Sequence, residues 1–244
     1  MQGPVSDEGK EAYVNYMPLP IRHGMTLGEL VRYINGERRL PSTVSPNLHE
    51  PLGAAVTVIT MQNWQRSMFY DDTGLPWINP SPNLRSVNAA TLYPGVELLQ
   101  FSNVSVGRGT PIPFENIAAP FFDGPALAAA LNARKIPGIT FSASTVTIEE
   151  DANHYPYHGQ TMPAVHLTVT DRNTLDSPEL GIEMISAIHR LYPKQFTFDR
   201  TSRLILSVNT MLSLQNSEDP HSIVKSWQQD LDAFKNRRTA YLLY

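Results

Sequence analysis

The chain has 244 residues, a formal net charge of −4 at pH 7 and a hydrophobic content of 41%, which is enough for the core of one domain. Apart from two adjacent arginine pairs its basic residues are scattered, so the charge pattern excludes a nucleic-acid-binding footprint. The absence of cysteine excludes disulfides and thiolate catalysis, and no apolar run is long enough to span a membrane.

The start of the chain has neither the basic end nor the apolar stretch of a signal peptide, so the chain as written is predicted to be cytoplasmic. The first helix is predicted to begin at Thr26, because Glu29 completes a capping box, and to end at Gly36. Its apolar stripe would consist of Leu27, Leu30, Val31 and Ile34. Residues 37–53 are polar and contain proline, which predicts a mobile loop.

The middle of the chain alternates between apolar runs and proline-containing loops. The apolar runs at residues 54–60 and 96–101 predict buried strands, with a helix or turn at residues 86–92 between them. A short helix is predicted from Pro113 to Ala118, and a longer one from the cap Asp123 to Arg134.

The second half carries the clearest periodicities. Two strands alternate cleanly, with Ile139, Phe141 and Ala143 on one face of the first and Val165, Leu167 and Val169 on one face of the second. Ser177–Pro178 and Asp219–Pro220 each predict a helix start, and the second helix would carry Val224, Trp227, Leu231 and Phe234. The interleaving predicts an α/β or α+β fold with a mixed sheet and flanking helices, forming a single domain over residues 1–244.

Residues 71–83 form the segment in which a binding function is expected. Three prolines stiffen it, and it can be neither a helix nor a central strand. Its candidate ligand-binding residues are Asp71, Asp72, Trp77, Asn79, Ser81 and Asn83. The alternative interpretation is a proline-rich crossover in which Trp77 is only a packing anchor.

Two further segments are candidate anion contacts, and they are expected to converge with the polar face of residues 71–83 on one cleft. Arg108 lies between two glycines and would suit a carboxylate, although the alternative is a turn whose arginine pairs with a neighbouring acid. Arg22 and His23 precede the first helix, where anions are favoured, but a histidine there is more often a structural donor.

No complete catalytic set is visible. Asp71, Asp72, Glu97 and Glu115 are weak candidates for an acid or base, and the adjacent pair would need a distant partner. The motifs of zinc sites, calcium loops, phosphate-binding loops and dinucleotide folds are absent, so neither a metal nor a cofactor is expected.

Several segments together resemble one family, the exo-β-N-acetylmuramidases, a bacterial glycoside hydrolase family formerly catalogued as a domain of unknown function. The resemblance runs nearly end to end and is most specific in the 20-residue block that begins at Trp64. The segments that carry it are residues 20–26, 64–83, 93–95, 103–110, 170–172 and 241–244.

The resemblance implies a hydrolase that releases N-acetylmuramic acid from the non-reducing end of peptidoglycan fragments. It implies that Arg22 or Arg108 binds the lactyl carboxylate and that Asn79 or Asn83 binds the acetamido group. Asp71 or Asp72 would bind hydroxyls, and Trp64 or Trp77 would stack on the sugar. His23, Ser81 and Asn103 complete the expected binding set. The resemblance leaves open whether the protein is exported to another compartment.

The chain is expected to correspond only to the family's C-terminal portion and to lack a Rossmann-like half that carries the presumed catalytic glutamate. Val106 also stands where relatives usually have an acid. The chain would then be the substrate-side domain of a muramidase, working with a separate chain that carries the other half or through self-association. The alternatives are a non-catalytic muramyl-binding module or degenerate homologue, and catalysis by the candidate carboxylates within this chain alone.

Overall fold

The computed structural model describes residues 1–10, 12, 14–37, 52–152 and 154–244, so most of the loop predicted at residues 37–53 lies outside the described residues. Near the N-terminus, strands β1 (Gln2–Val5) and β2 (Pro20–Arg22) pair antiparallel as a small ribbon. Helix α1 (Leu27–Glu37) follows. The predicted capping box is confirmed, because Thr26 Oγ1 accepts from the Glu29 N–H at 3.3 Å and Glu29 Oε2 accepts from the Thr26 N–H at 2.8 Å.

The predicted apolar stripe of α1 is only half correct. Leu30 and Ile34 pack on a cluster that contains Tyr33 and Phe234, whereas Leu27 is 79% exposed and Val31 is 38% exposed. Glu29, which is polar, takes a fully buried place on this helix instead. Glu29 pairs with Arg66, so the buried face of α1 contains an ion pair as well as apolar side chains.

The strand predicted at residues 54–60 is wrong. This segment has no regular structure and is mostly exposed, and none of the strands among the described residues pairs with its backbone. It is held instead by α1: the Asn35 amide donates to the Ala54 carbonyl at 3.0 Å and accepts from its N–H at 2.7 Å. A single 3₁₀ turn at Tyr70–Thr73 interrupts the predicted 71–83 loop.

Helix α2 (Val87–Val96) begins where Ser86 accepts from the Ala89 N–H, which confirms the prediction of a helix or turn at this point. A 3₁₀ turn at Glu97–Leu99 follows directly. The strand predicted at residues 96–101 is therefore wrong, because a short apolar run fits a buried helical turn equally well. The short helix predicted from Pro113 is also wrong, since this segment leads into strand β3 (Asn116–Ala118).

Helix α3 (Gly124–Ala133) begins after the cap Asp123, as predicted. Strands β4 (Ile139–Thr147) and β5 (Thr161–Val169) form a long hairpin, and β3 pairs with the other edge of β5. The sheet order is β3-β5-β4 and every pairing is antiparallel. The combination of helices and strands is confirmed, but the expected mixed sheet is wrong within the part of the chain that the structure describes.

Helix α4 (Ser177–Leu191) is capped by Asp176 and not by Ser177. The buried Ser177 hydroxyl donates to the Leu92 carbonyl and accepts from the Gly95 N–H, both at 2.9 Å, and so joins α4 to α2. Four shorter helices complete the chain: α5 (Ser202–Ile205), α6 (Val208–Gln215), α7 (Pro220–Ser226) and α8 (Gln228–Arg238). The final helix was predicted as one element, but it is divided at Trp227.

The main core lies between the three-stranded sheet and helices α2, α3 and α4. Its closest contact is the crossing of α2 and α4, where Gly95 and Gly181 face each other without side chains between them. Among the described helices, none is long and apolar enough to cross a membrane.

Candidate functional site

A cleft of about 390 Å³ lies between the β1–β2 ribbon, residues 66–69 and residues 172–175. We call it the arginine cleft, because four arginines from distant parts of the chain line it: Arg22, Arg66, Arg172 and Arg238. Phe69 lies between them and supplies an aromatic surface. Cationic groups beside an aromatic face are suited to an anionic ligand with an apolar side.

Arg66 is held by the buried carboxylate of Glu29. Its two terminal nitrogens donate to Glu29 at 2.6 and 3.1 Å, and also to the carbonyl oxygens of Gly24 and Tyr244. Burial opposes ionisation of Glu29, but the hydrogen bonds from Arg66 and from the N–H groups of Leu243 and Thr26 outweigh it and lower its pKa to about 2. Arg66 is therefore a fixed wall of the cleft.

Arg172 is held by the two acids of the 71–83 segment. It donates to both oxygens of Asp71 at 2.7 and 2.6 Å and to Asp72 at 3.1 Å. Its guanidinium lies 4.2 Å from the centre of the Phe69 ring. The hydrogen bond from Arg172 lowers the pKa of Asp71. Both carboxylates are occupied as partners of an arginine.

Arg22 and Arg238 make no salt bridge within the described residues. Arg22 donates to the amide oxygen of Gln2 at 2.5 Å, and Arg238 donates to the carbonyls of His23 and Gly24. Burial, then the charge of Arg66, lowers the pKa of Arg238. Asp176 attracts Arg22 but does not contact it. These two guanidinium groups give the cleft its excess positive charge.

The aromatic candidates pack as anchors outside the lining of this cleft. The Trp77 ring contacts Tyr70 edge-to-face at 5.1 Å, and its indole N–H donates to the Leu84 carbonyl at 3.2 Å. The Trp64 ring contacts Tyr244 in the same way at 5.0 Å. Trp77 thus packs within its own loop, whereas Trp64 joins this part of the chain to the C-terminal residues.

The amide and hydroxyl candidates are divided between structural and exposed positions. Asn83 is buried and donates to the Tyr155 hydroxyl at 2.8 Å. Asn103 donates to the Gln195 carbonyl at 2.7 Å and accepts from the Thr197 N–H at 2.9 Å. Asn79 is exposed, and Ser81 is partly exposed. Their roles as sugar ligands remain predictions.

Arg108 pairs with Glu97, as the alternative interpretation of its turn allowed. Its Nη2 atom donates to Glu97 Oε1 at 2.9 Å, and its guanidinium lies 5.0 Å from the Phe114 ring centre. Burial raises the pKa of Glu97 to about 7 against the opposing effect of Arg108. The last carboxylate candidate, Glu115, accepts from the Ser86 hydroxyl at 2.8 Å.

The three segments expected to converge do not line one cleft. Arg22 lines the arginine cleft, whereas Trp77 and Arg108 are not among its lining residues. His23, which follows β2, lines a second cavity that also includes Glu97. His23 Nδ1 accepts from the Met25 N–H at 3.1 Å, so its predicted alternative as a structural residue has direct geometric support.

One group of metal-ligand side chains gathers within the described residues, at Glu179, Glu183 and His221, with ligand atoms within 4.8 Å of one another. Arg134 occupies both oxygens of Glu183 at 2.8 Å, and His221 Nδ1 lies 3.1 Å from Glu179. The contacts describe a salt-bridge network that joins α3, α4 and α7. The expectation of no metal stays a prediction.

Sequence reasoning missed four residues of the arginine cleft: Arg66, Phe69, Arg172 and Arg238. The first three lie inside the segments that carry the family resemblance, at residues 64–83 and 170–172. Their location in these segments was the feature of the sequence that could have identified them as candidate site residues. For Arg238 the sequence shows only that it follows another arginine. Nothing in the sequence predicts that it lies beside residues more than 200 positions earlier.

The fold recurs in solved structures. Two DUF1343 family proteins from Bacteroides fragilis NCTC 9343 match this chain over its whole length and over 62% of their own, with TM-scores of 0.84 and 0.73. Their sequences are 25% and 27% identical to it. The chain is therefore a protein of the DUF1343 structural class.

The family models identify the family within this class. The C-terminal model of exo-β-N-acetylmuramidase NamZ matches residues 91–244, and the N-terminal model matches residues 1–88. A peptidoglycan β-N-acetylmuramidase NamZ from Bacillus subtilis (strain 168) is 34% identical over 247 residues. The chain belongs to the exo-β-N-acetylmuramidase NamZ family.

The matches also correct an expectation. Because the family's N-terminal model covers residues 1–88, the chain does not resemble the C-terminal portion alone, and the inferred absence of the N-terminal half is not supported. The error arose because residues 20–26 and 64–83 were assigned to the wrong side of the family's division. The chain spans 56% of the length of the Bacillus subtilis relative.

Proposed function

We propose that this chain belongs to a glycoside hydrolase that acts on peptidoglycan and releases N-acetylmuramic acid from the non-reducing end of its fragments. The arginine cleft is the proposed muramyl-binding site. Family membership supports the substrate class, and the observation that carries the proposal is the pair of arginines, Arg22 and Arg238, that line the cleft without a salt bridge among the described residues.

The chemistry of the sugar matches this cleft. N-acetylmuramic acid differs from N-acetylglucosamine by a lactyl ether, whose carboxylate is the natural partner of a guanidinium. Phe69 offers an aromatic face for the sugar, and Arg66 and Arg172 are already fixed by acids, so they shape the cleft without losing their partners. Arg22 is the most exposed of the four arginines and is the proposed carboxylate contact.

A second candidate function is binding of muramyl sugars without hydrolysis. It is favoured by the state of the candidate acids, each of which has a partner: Asp71 and Asp72 hold Arg172, Glu97 holds Arg108 and Glu115 holds Ser86. No two of them form the open acid and base pair that glycoside hydrolysis uses.

Calorimetric titration with N-acetylmuramic acid and N-acetylglucosamine tests the binding site. The lactyl sugar is expected to bind more tightly, and Arg22→Gln is expected to abolish that preference through a loss of about tenfold in its affinity. Arg190→Gln, an exposed change on α4, is the matched control. An unchanged preference in Arg22→Gln would refute this cleft as the muramyl site.

Hydrolysis of a chromogenic β-N-acetylmuramide by the whole chain separates the two functions. Release of the chromophore supports the hydrolase. Tight binding of N-acetylmuramic acid without release supports the binding protein, and the absence of both binding and release rejects both functions.

A further inference from the structure

One wall of the arginine cleft belongs to a segment with little structure of its own. Arg66, Met68 and Phe69 line the cleft, and they lie in residues 61–69, which form neither a helix nor a strand. Within this segment the backbone makes a single described hydrogen bond to itself, from the Met68 N–H to the Gln65 carbonyl at 3.0 Å. Because ordering irregular backbone costs conformational entropy, contacts from elsewhere in the chain must hold the wall in place.

Tyr244 supplies three such contacts. Its hydroxyl accepts from the Met61 N–H at 2.6 Å. Its ring packs edge-to-face on Trp64, with 5.0 Å between the ring centres. Its carbonyl oxygen accepts from Arg66 Nη2 at 3.1 Å. One residue, 178 positions away from Arg66, therefore holds the segment at three points along its first six residues.

The same part of the chain also holds Glu29, the acid that pairs with Arg66. The Leu243 N–H donates to Glu29 Oε1 at 2.8 Å, and Arg66 Nη2 donates to the same oxygen at 2.6 Å. The guanidinium of Arg66 lies 5.8 Å from the centre of the Trp64 ring, which is the ring that Tyr244 contacts. Tyr244 and Leu243 thus hold both members of the ion pair that forms this wall.

Tyr244 is not among the residues that line the arginine cleft, so it can influence a ligand there only through the segment that it holds. Phe69 follows Arg66 by three residues, and its ring lies 4.2 Å from the guanidinium of Arg172 on the facing wall. A shift of residues 61–66 would therefore move the aromatic face as well as Arg66. Walls that are ordered in advance favour binding, because the ligand does not have to order them.

We propose that Tyr244 is a positioning residue of the arginine cleft, which fixes residues 61–66 so that Arg66 and Phe69 are in place before a ligand binds. The identity of the ligand rests on the proposed function. The positioning of the wall rests on the contacts of Tyr244 alone.

Two variants remove these contacts in steps. Tyr244→Phe removes only the oxygen that accepts from the Met61 N–H, and Tyr244→Ala also removes the ring that packs on Trp64. Both leave the carbonyl oxygen that accepts from Arg66. The conservative variant keeps the ring contact, so it should retain more of the function of the wall than the alanine variant does.

Tyr241→Phe and Tyr241→Ala are the matched controls. Tyr241 lies in the same part of the chain, but its hydroxyl donates to Glu37 at 2.7 Å and its ring packs on Tyr33 at 5.2 Å between centres. None of its described hydrogen bonds or ring contacts reaches residues 61–69. These variants should lower stability without moving the wall.

Hydrogen exchange of the Met61 amide, followed by NMR on the whole chain, tests the contact itself. Met61 is 46% exposed, so the Tyr244 hydroxyl is the group that protects this N–H. Tyr244→Phe is expected to speed its exchange by about tenfold or more, because the hydrogen bond is lost. Tyr241→Phe is expected to leave it unaltered.

Calorimetric titration with N-acetylmuramic acid tests the consequence, at a temperature at which thermal unfolding shows every variant to be folded. Tyr244→Phe should bind about threefold more weakly than the parent chain, and Tyr244→Ala about tenfold more weakly. Both Tyr241 variants should bind as the parent does. A residue that only stabilises the fold would lower the melting temperature without changing the affinity of the folded chain, so the affinity is the measurement specific to positioning.

Unchanged exchange of Met61 in Tyr244→Phe overturns the inference, and so does unchanged affinity in Tyr244→Ala. Equal losses of affinity in the Tyr241 and Tyr244 variants also overturn it, because the effect would then not depend on contact with residues 61–66. Failure of the proposed function is recognised separately, since the parent chain itself would bind no N-acetylmuramic acid. The exchange of Met61 then decides the inference alone.

Discussion

At the scale of single residues, Glu97 and Glu29 are buried carboxylates with opposite behaviour. Both pair with an arginine, but Glu29 receives additional backbone N–H groups whereas Glu97 keeps one oxygen unpaired. Hydrogen bonds therefore outweigh burial at Glu29, and burial dominates at Glu97. The number of donors around a carboxylate decides which charge state the fold favours.

Glu97 predicts a specific dependence of stability on pH. Its folded pKa of about 7 lies above the ordinary value of 4.5, so its protonated form favours the folded state. The associated stability is complete below pH 4.5 and is lost as the pH rises through 7. Glu97→Gln should therefore be more stable than the parent at pH 8, by up to about 3 kcal/mol, and nearly equal to it at pH 4.5.

Urea unfolding followed by tryptophan fluorescence at pH 4.5 and pH 8 measures this difference. Comparing the two proteins at each pH cancels the contributions of other groups, including His23, whose pKa is lowered by burial and by Arg238. A difference that does not grow with pH would contradict the buried, proton-favouring state of Glu97.

Glu29 gives the opposite expectation. Glu29→Gln leaves Arg66 without its carboxylate and should lower the free energy of unfolding at pH 7 by roughly 2 to 4 kcal/mol. Glu8→Gln, at an exposed position, should change it by less than about 0.5 kcal/mol. Equal denaturant midpoints for the two variants would show that the Glu29–Arg66 pair does not hold α1 to the C-terminal residues.

At the scale of elements, helices α2 and α4 cross where Gly95 and Gly181 face each other. A Cβ at Gly95 would overlap the Ser177 carbonyl, and one at Gly181 would lie 2.6 Å from the Gly95 carbonyl. The contact is backbone on backbone, so it cannot be relieved by a rotamer change. Ser177 adds hydrogen bonds at the same point.

Gly95→Ala is therefore expected to destabilise the protein by more than about 3 kcal/mol, as overpacking against a fixed backbone does. Gly9→Ala is the control, because Gly9 has open space around it and the change there costs only the left-handed backbone strain of about 1 to 2 kcal/mol. Calorimetric melting of both variants measures the difference, and similar melting temperatures would exclude a tight crossing.

The elements also show what the sequence could predict. Helices with a capping residue and a regular apolar face, such as α1, α3 and α4, could be placed, as could the alternating strands β4 and β5. Short apolar runs at residues 54–60 and 96–101 were misassigned, because whether such a run becomes a strand depends on a pairing partner elsewhere in the chain. The ribbon β1–β2 was missed for the same reason.

The candidate site was harder to predict than the fold. Arg22 and the two acids at 71 and 72 were recognised, but the acids proved to be partners of Arg172, about 100 residues away. A pairing of Arg108 with a neighbouring acid was predicted only as an alternative, and Glu97 was not identified as that acid. Local composition identifies groups that can bind a ligand, whereas tertiary contacts decide which of them remain available.

At the scale of the whole molecule, the local charge of the arginine cleft is opposite in sign to the net charge of the chain. The chain carries −4 overall, yet the arginine cleft brings four guanidinium groups together with three paired carboxylates, Glu29, Asp71 and Asp72. Glu97 and Arg108, which pair with each other, do not line this cleft.

Binding of a charged sugar in the arginine cleft should therefore depend on the salt concentration. Raising sodium chloride from about 50 to about 500 mM shortens the screening length and should weaken N-acetylmuramic acid binding severalfold. Binding of uncharged N-acetylglucosamine should hardly change. Parallel calorimetric titrations measure both, and an equal salt response would show that the arginine cleft does not bind the lactyl carboxylate.

The β1–β2 ribbon has one more consequence. It is a single layer of two paired strands, and it lines the arginine cleft through Gln2 and Arg22 and the second cavity through Pro4 and Ile21. A displacement of the ribbon that enlarges one of these cavities reduces the volume of the other. A ligand bound in one cavity would then change the affinity of the other cavity for its own ligand. By thermodynamic linkage the factor is the same in both directions, so the ribbon is a structural element through which the two cavities can be coupled.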